Sequence, residues 1–237
     1  LTFDGDTNIK NKFLIARPLG ILVGSSVNAV RTEGGRKVSD VVKILLFLQT
    51  FIDHPQEFSG YIKRLLNPND GIKNPRGYSL FANNFLLTKQ GLNLDEEDAF
   101  AAQTYRKIIE RLFHSNAPNA HLYIDKQKGG DGEIGLRVGN APYFGVINVG
   151  DSDTLLKLCE SNDLNCETRE FGNNALFSHI NDDDSTINIL IGSKKFSEGW
   201  SSWRVSAMGL MNVGRSEGSE IIQLFGRGVR LKGQDFS

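Results

Sequence analysis

The chain is poor in the residues that staple small or metal-dependent folds. It has two cysteines, Cys159 and Cys166, in 237 residues. That is too few for a disulfide framework or a cysteine-based zinc site. Both stand near apolar neighbours and read as small core or loop residues in a reducing cytoplasm. The four histidines, at 54, 114, 121 and 179, form no H-x-x-x-H pair, so no metal centre is expected. No apolar run reaches the roughly 18 residues of a membrane-spanning helix, and no membrane partner is expected. The opening residues, LTFDGDTNIK, lack a basic segment followed by an apolar one. No secretory signal is therefore expected, and a cytoplasmic location is. An initiator Met is also missing, which suggests a piece of a longer polypeptide.

Two chemical signatures are absent as well. No G-x-x-x-x-G-K-[ST] phosphate loop occurs. Asp95-Glu96-Glu97-Asp98 looks like an acidic metal box, but it follows Leu92-Asn93-Leu94 rather than a long buried strand. It reads as the first turn of a helix, where the dipole favours acids. No P-D…D/E-x-K nuclease pattern is found.

What is present is an uneven distribution of charge. The chain carries a net −1, yet positions 186–234 hold seven Lys/Arg against three Asp/Glu. A basic excess of this kind suits a phosphate-facing surface, with chance clustering as the alternative. Apolar content of 39% and charged content of 23% fit a soluble globular chain long enough for one large domain or two small ones.

The periodicities predict alternating strands and helices. Strands are expected at Gly20–Val23, Leu122–Ile124, Glu133–Val138, Tyr143–Val149, Cys166–Glu170, Thr186–Ile191 and Val205–Met211. Helices are expected at Asp40–Ile52 after an N-cap at Ser39, at Glu57–Leu66, at Asp95–Phe113, and from Asp151 or Ser152 to Cys159. A short helix is expected at Ala175–Ile180, a loop at Arg31–Lys37 and a solvated turn at Asp182–Asp184. This order predicts an α/β fold with a mainly parallel sheet. Ligands of such sheets bind at the carboxyl ends of the strands, here Gly24–Ser26, Gly192–Gly199 and Asn212–Gly214.

The last stretch, Ser219–Lys232, reads as a helix. Ile221, Ile222, Leu224, Phe225 and Val229 fall on one broad side. Gln223, Gly226, Arg227 and Arg230 fall on the other. Glycine inside a helix costs about 1 kcal/mol against alanine, so Gly226 and Gly228 need a reason. Close approach of a polyanion is one, and a plain solvated arginine face is the alternative.

Gln223-Leu224-Phe225-Gly226-Arg227-Gly228-Val229-Arg230 matches Q-x-x-G-R-x-x-R, the motif VI signature of superfamily 2 helicases and translocases. Ser193–Ser201 precedes it and resembles motif V, with Ser193 at the usual Thr and Gly199 at the Gly. Ser201 stands where Asp is usual, which departs from the ribose-side contact. Leu19–Ala29 resembles the motif IV strand that opens the second RecA-like domain. The wording of KKFSEGWSSWRVSAMGLMNVG and IIQLFGRGVRLKG is most similar to the helicase subunit of type III restriction enzymes. The similarity is strong over 186–233, fair over 12–30 and 143–160, and thin between.

The resemblance implies a RecA-like three-layer domain with a core at 12–53 and 143–233, and a helical and β-hairpin insertion at 54–142. ATP and Mg²⁺ would be held mainly by an N-terminal RecA-like domain of the same polypeptide. By resemblance, Arg227 and Arg230 would be arginine fingers, and Gln223 would orient phosphates or the attacking water. Gly199, Ser201 and Gly226 would lie on the nucleotide side. Ser193, Lys194, Lys195, Ser25 and Ser26 would contact nucleic-acid phosphates. Trp200 and Trp203 read as loop anchors, with base stacking as the alternative. The implied partners are double-stranded DNA and a DNA methyltransferase subunit, with any nuclease motif beyond Ser237. A nucleic-acid- or nucleotide-binding module without motor activity, and a Rossmann-like nucleotide-sugar transferase, remain open.

Overall fold

A computed structural model describes residues 17–24, 30–66, 73–78, 94–117, 119–127, 133–169, 175–193, 202 and 204–211. Its strands in chain order are β1 (Leu19–Gly24), β2 (Arg31–Glu33), β3 (Arg36–Val38), β4 (Leu122–Gln127), β5 (Glu133–Val138), β6 (Gly145–Asn148), β7 (Asn165–Arg169), β8 (Ile189–Ser193) and β9 (Val205–Leu210). The helices are α1 (Asp40–Asp53), α2 (Pro55–Leu66), α3 (Leu94–Phe113) and α4 (Ser152–Glu160).

Seven strands form one sheet in the order β7-β4-β5-β6-β8-β1-β9. All run the same way except β5, which is antiparallel to both neighbours. The protein is therefore α/β with a mostly parallel sheet. The hairpin β4–β5, from the stretch read as an insertion, supplies two strands of this same sheet.

The apolar runs of the central strands follow from burial on both faces. On one face Ile124, Leu136, Ile147, Ile189 and Ile191 pack with residues of α1, α3 and α4. On the other, Leu19, Ile21, Val23, Val146 and Leu190 pack with Ile180 and Ile187. Helix α1 is apolar nearly all round because it lies between the sheet and the α2–α3 pair. Phe51 joins the two layers, 4.8 Å from the Phe58 ring, 5.1 Å from Tyr105 and 5.8 Å from Phe113.

Ser39 caps α1 as its sequence position predicts, its hydroxyl accepting from the Val42 N–H. Replacing it with alanine strips that donor of its partner and should cost about 1 kcal/mol. Urea denaturation of Ser39→Ala against the unchanged protein measures it.

Three expectations need correction. Arg31–Lys37 is not a loop but the hairpin β2–β3, closed by Gly34 and Gly35 at φ 56° and 81°. Left-handed glycines match the twist of two paired strands. Ala175–Ile180 forms successive turns rather than a helix, with Ile180 N–H bonded to Phe177 O at 3.4 Å and Asp182 N–H to His179 O at 3.1 Å. A segment this short does not recover the cost of helix nucleation, and its Leu176, Phe177 and Ile180 bind the sheet face instead. The strand predicted from Thr186 begins at Ile189. The residues before it anchor neighbours: the Thr186 hydroxyl donates to Tyr143 O at 2.7 Å, and the Asn188 amide donates to Arg111 O and Leu112 O at 3.1 Å each.

Candidate functional site

The carboxyl ends of β8, β1 and β6 meet at one edge of the sheet. Gly24, the last residue of β1, stands opposite Ser193, the last of β8. Val23 pairs with Gly192 on one side and with Leu210 of β9 on the other. Asn148, ending β6, also pairs with Gly192. β8, β1 and β9 are therefore three adjacent parallel strands that end on one side of the sheet. Of the predicted site residues, Ser193 alone is described, as the end of a strand. Ser25, Ser26, Lys194, Lys195, Gly199, Ser201, Gln223, Gly226, Arg227 and Arg230 lie outside the described residues, as do Trp200, Trp203 and the helix expected at Ser219–Lys232.

The edge is closed from below by α1. A Cβ at Gly24 would stand 2.9 Å from Asp40 Cβ, so the start of α1 is seated against the end of β1. Asp40 is fully buried and takes a 2.6 Å bond from the Arg31 guanidinium. Arg31 also donates to Glu33 at 2.7 Å, and Lys43 reaches the same carboxylate at 2.6 Å. Hydrogen bonds to Glu33, then Asp40, raise the Arg31 pKa further above its ordinary value. Asp40, seated against the end of β1, is thus matched by a cation. Helix α4 begins beyond β6, where Asp151 accepts from Thr154 N–H at 3.0 Å. That backbone bond holds the Asp151 carboxyl below the usual range.

The basic excess at 186–234 is not all available to this edge. Arg204 precedes β9, and its carbonyl accepts from Leu19 N–H at the start of β1, the amino end of the sheet. Its side chain is buried and donates to Arg17 O at 3.0 Å, to Ile187 O at 2.6 Å and to Ile180 O. Desolvation, then repulsion from Arg17, lowers its pKa. Arg204 pins three segments together and is removed from the phosphate-facing set.

A polar cluster that the sequence reading missed lies on β4, β5 and β7. Asp125 is fully buried, and Arg137 only 3% exposed. The Arg137 guanidinium donates to both Asp125 oxygens, at 2.6 and 3.3 Å, and to Glu167 at 2.8 Å. It stands 4.3 Å above the Tyr123 ring. Tyr143 donates to Asp125 at 2.8 Å, and Arg169 lies 3.4 Å from the same carboxylate. Burial, then the bond to Asp125, drives the Tyr143 pKa upward. The signal available in the sequence was one acid and one base at alternate positions of two strands otherwise apolar on the opposite face. Every polar group in the cluster is engaged by another, which marks it as a fixed scaffold.

Cys159 and Cys166 are both free thiols, and the neighbouring Cys166 and burial drive the Cys159 pKa up. Among the described residues no group of three or more His, Cys, Asp or Glu could hold a metal ion. Asp95–Asp98 lies in the first turn of α3, with Asp98 paired to Lys63 of α2 at 2.8 Å. No described helix is long and apolar enough to cross a membrane.

The fold and the edge together define an α/β protein with a mostly parallel sheet and three neighbouring strand ends directed to one side. Comparison with protein-family models, with curated proteins and with solved structures gives no match.

Proposed function

We propose that this chain is the second RecA-like domain of a superfamily 2 DNA helicase or translocase, most like the helicase subunit of type III restriction enzymes. The observation that carries the reading is the shared edge. The motif IV-like strand β1 lies between β8, which runs into the motif V-like loop, and β9, which leads toward the Q-x-x-G-R-x-x-R stretch. These three adjacent strands run parallel and end on one side of the sheet. Ligands of parallel sheets bind on that side, and the buried Asp40 at the end of β1 is matched by Arg31.

On this reading ATP and Mg²⁺ belong mainly to an N-terminal RecA-like domain. The bound ATP supplies the γ-phosphoryl group, and Arg227 and Arg230 bring fixed positive charge to its oxygens. Gln223 orients the phosphates or water, with Gly199, Ser201 and Gly226 beside the nucleotide. Ser193, Lys194, Lys195, Ser25 and Ser26 hold DNA phosphates, which position a duplex without reading its sequence. A DNA methyltransferase subunit is the expected partner in a restriction system.

The test is ATP hydrolysis by the full-length protein with and without double-stranded DNA. Hydrolysis should rise with DNA, whereas residues 1–237 alone should show none. Robust hydrolysis by 1–237 alone, or a full-length protein indifferent to DNA, would sink the proposal.

A further inference from the structure

We propose that the hairpin β2–β3 is a second nucleic-acid contact, an arm that presents Thr32 and Lys37 to the phosphodiester backbone of a duplex. The inference rests on the proposed DNA-translocase reading, and it concerns residues outside every motif on which that reading stands.

A two-stranded hairpin is marginal by itself, and this one joins no larger sheet. It is nevertheless tied down along one face. Directly opposed residues share a face, and the register is Arg31↔Val38, Thr32↔Lys37 and Glu33↔Arg36. Arg31, Glu33, Arg36 and Val38 therefore lie on one face of the hairpin, the face that meets α1 and the turn after α4. Val38 is buried in the core under α1. Arg31 reaches Asp40 at 2.6 Å, Glu33 takes Lys43 at 2.6 Å, and Arg36 meets Asp163 at 2.9 Å. The Asn162 amide adds a 2.9 Å bond to Lys37 O.

The opposite face carries a different chemistry. Thr32 and Lys37 are both exposed, and no acid shares their face. Lys37 has no carboxylate partner among the described residues. The tip is open: nothing lies within 4 Å of where a Cβ of Gly34 or Gly35 would be. Glu33, Asp40 and Asp163 are thus ion-paired on the first face, and the opposite face holds an ammonium, a hydroxyl and the accessible backbone of two glycines. All of these can donate to phosphate oxygen. Location agrees with composition. The hairpin lies between β1 and α1, and Asp40, which anchors it, packs on Gly24 at the carboxyl end of β1. Arg31, which begins the hairpin, is thereby tied to a residue seated at the end of β1.

The experiment uses full-length protein and a fluorescent duplex of arbitrary sequence, with affinity measured by anisotropy over a range of salt. Thr32→Ala/Lys37→Ala should weaken binding roughly three- to tenfold, equally on unrelated sequences, and should lower the salt slope by about one. Lys37→Arg should keep wild-type affinity and slope. Both sites are exposed, so the melting temperature should not move, and ATP hydrolysis at saturating DNA should be unchanged. Wild-type affinity and slope in the double variant overturn the arm alone. A full-length protein that binds no duplex overturns both the arm and the reading beneath it.

Discussion

In the full-length protein, Arg230→Ala should lower DNA-stimulated ATP hydrolysis by about a thousandfold or more, while leaving duplex affinity near the wild-type value. The expectation follows from the proposed role. A phosphoryl-transfer transition state spreads charge over the equatorial oxygens, and little covalent work is left for the protein. A fixed guanidinium that meets this charge lowers the barrier by about 4 kcal/mol for a thousandfold effect. Because the charge develops mainly in the transition state, the loss should appear in kcat rather than in nucleotide affinity. Arg230→Lys keeps the charge but not the planar fork, and should recover only part of the rate. Steady-state hydrolysis at saturating ATP and DNA measures all three proteins. A drop of less than about tenfold in Arg230→Ala would be too small for a residue meeting the transferring phosphoryl group.

Local signals were legible where one residue decides the geometry. Ser39 ahead of an apolar run predicts an N-cap, and its hydroxyl takes the Val42 N–H. The 3.6-residue period of Tyr105, Ile108, Ile109, Leu112 and Phe113 predicts α3, and Tyr105 and Phe113 are buried. The hairpin β2–β3 was illegible because neither Arg31-Thr32-Glu33 nor Arg36-Lys37-Val38 alternates apolar with polar residues, so periodicity had nothing to read. The turn in it was visible as Gly34-Gly35; the pairing on either side was not. Ala175–Ile180 was misread for the opposite reason. Its apolar spacing suits a helix, but the sheet face beside Val146 and Leu190 takes the same side chains from a chain of turns.

The candidate site divides along the same line. That the ends of β1 and β8 are neighbours depends on strand order, which no local pattern encodes. Nearly 170 residues separate Gly24 from Ser193, yet they stand directly opposite. Arg204 shows the converse. In the sequence it counts toward a basic surface, and only the fold reveals that its charge is turned inward onto three carbonyls. Charge counted along a chain measures what is available; burial decides what is presented.

The same distinction sets the largest stability effect expected here, at Arg137. The sheet face that carries Val146 and Leu190 is apolar across β6, β8 and β1, but on β5, β4 and β7 it carries Arg137, Asp125 and Glu167. Tyr143 joins the two regions. Its ring lies over Gly135, where a Cβ would come within 2.7 Å of it, and its hydroxyl binds Asp125. Arg137→Ala would leave a fully buried carboxylate with Tyr143 and the half-exposed Arg169 as its remaining partners. Breaking one side of a buried pair costs about 3–5 kcal/mol, because the surviving charge keeps its desolvation penalty. That is a large share of the ~5–15 kcal/mol that holds a domain folded. Tyr143→Phe, which removes one bond and leaves the ion pair, should cost about 1–3 kcal/mol. Asp125→Ala/Arg137→Ala should be less damaging than the sum of its single changes, since neither charge is then stranded. Urea denaturation of the unchanged protein, the three single variants and the double variant at neutral pH decides it. A loss below about 1 kcal/mol in Arg137→Ala would mean that water or a shifted Arg169 already satisfies Asp125, and Arg137 would then not be what holds Asp125 and Tyr143 over the sheet.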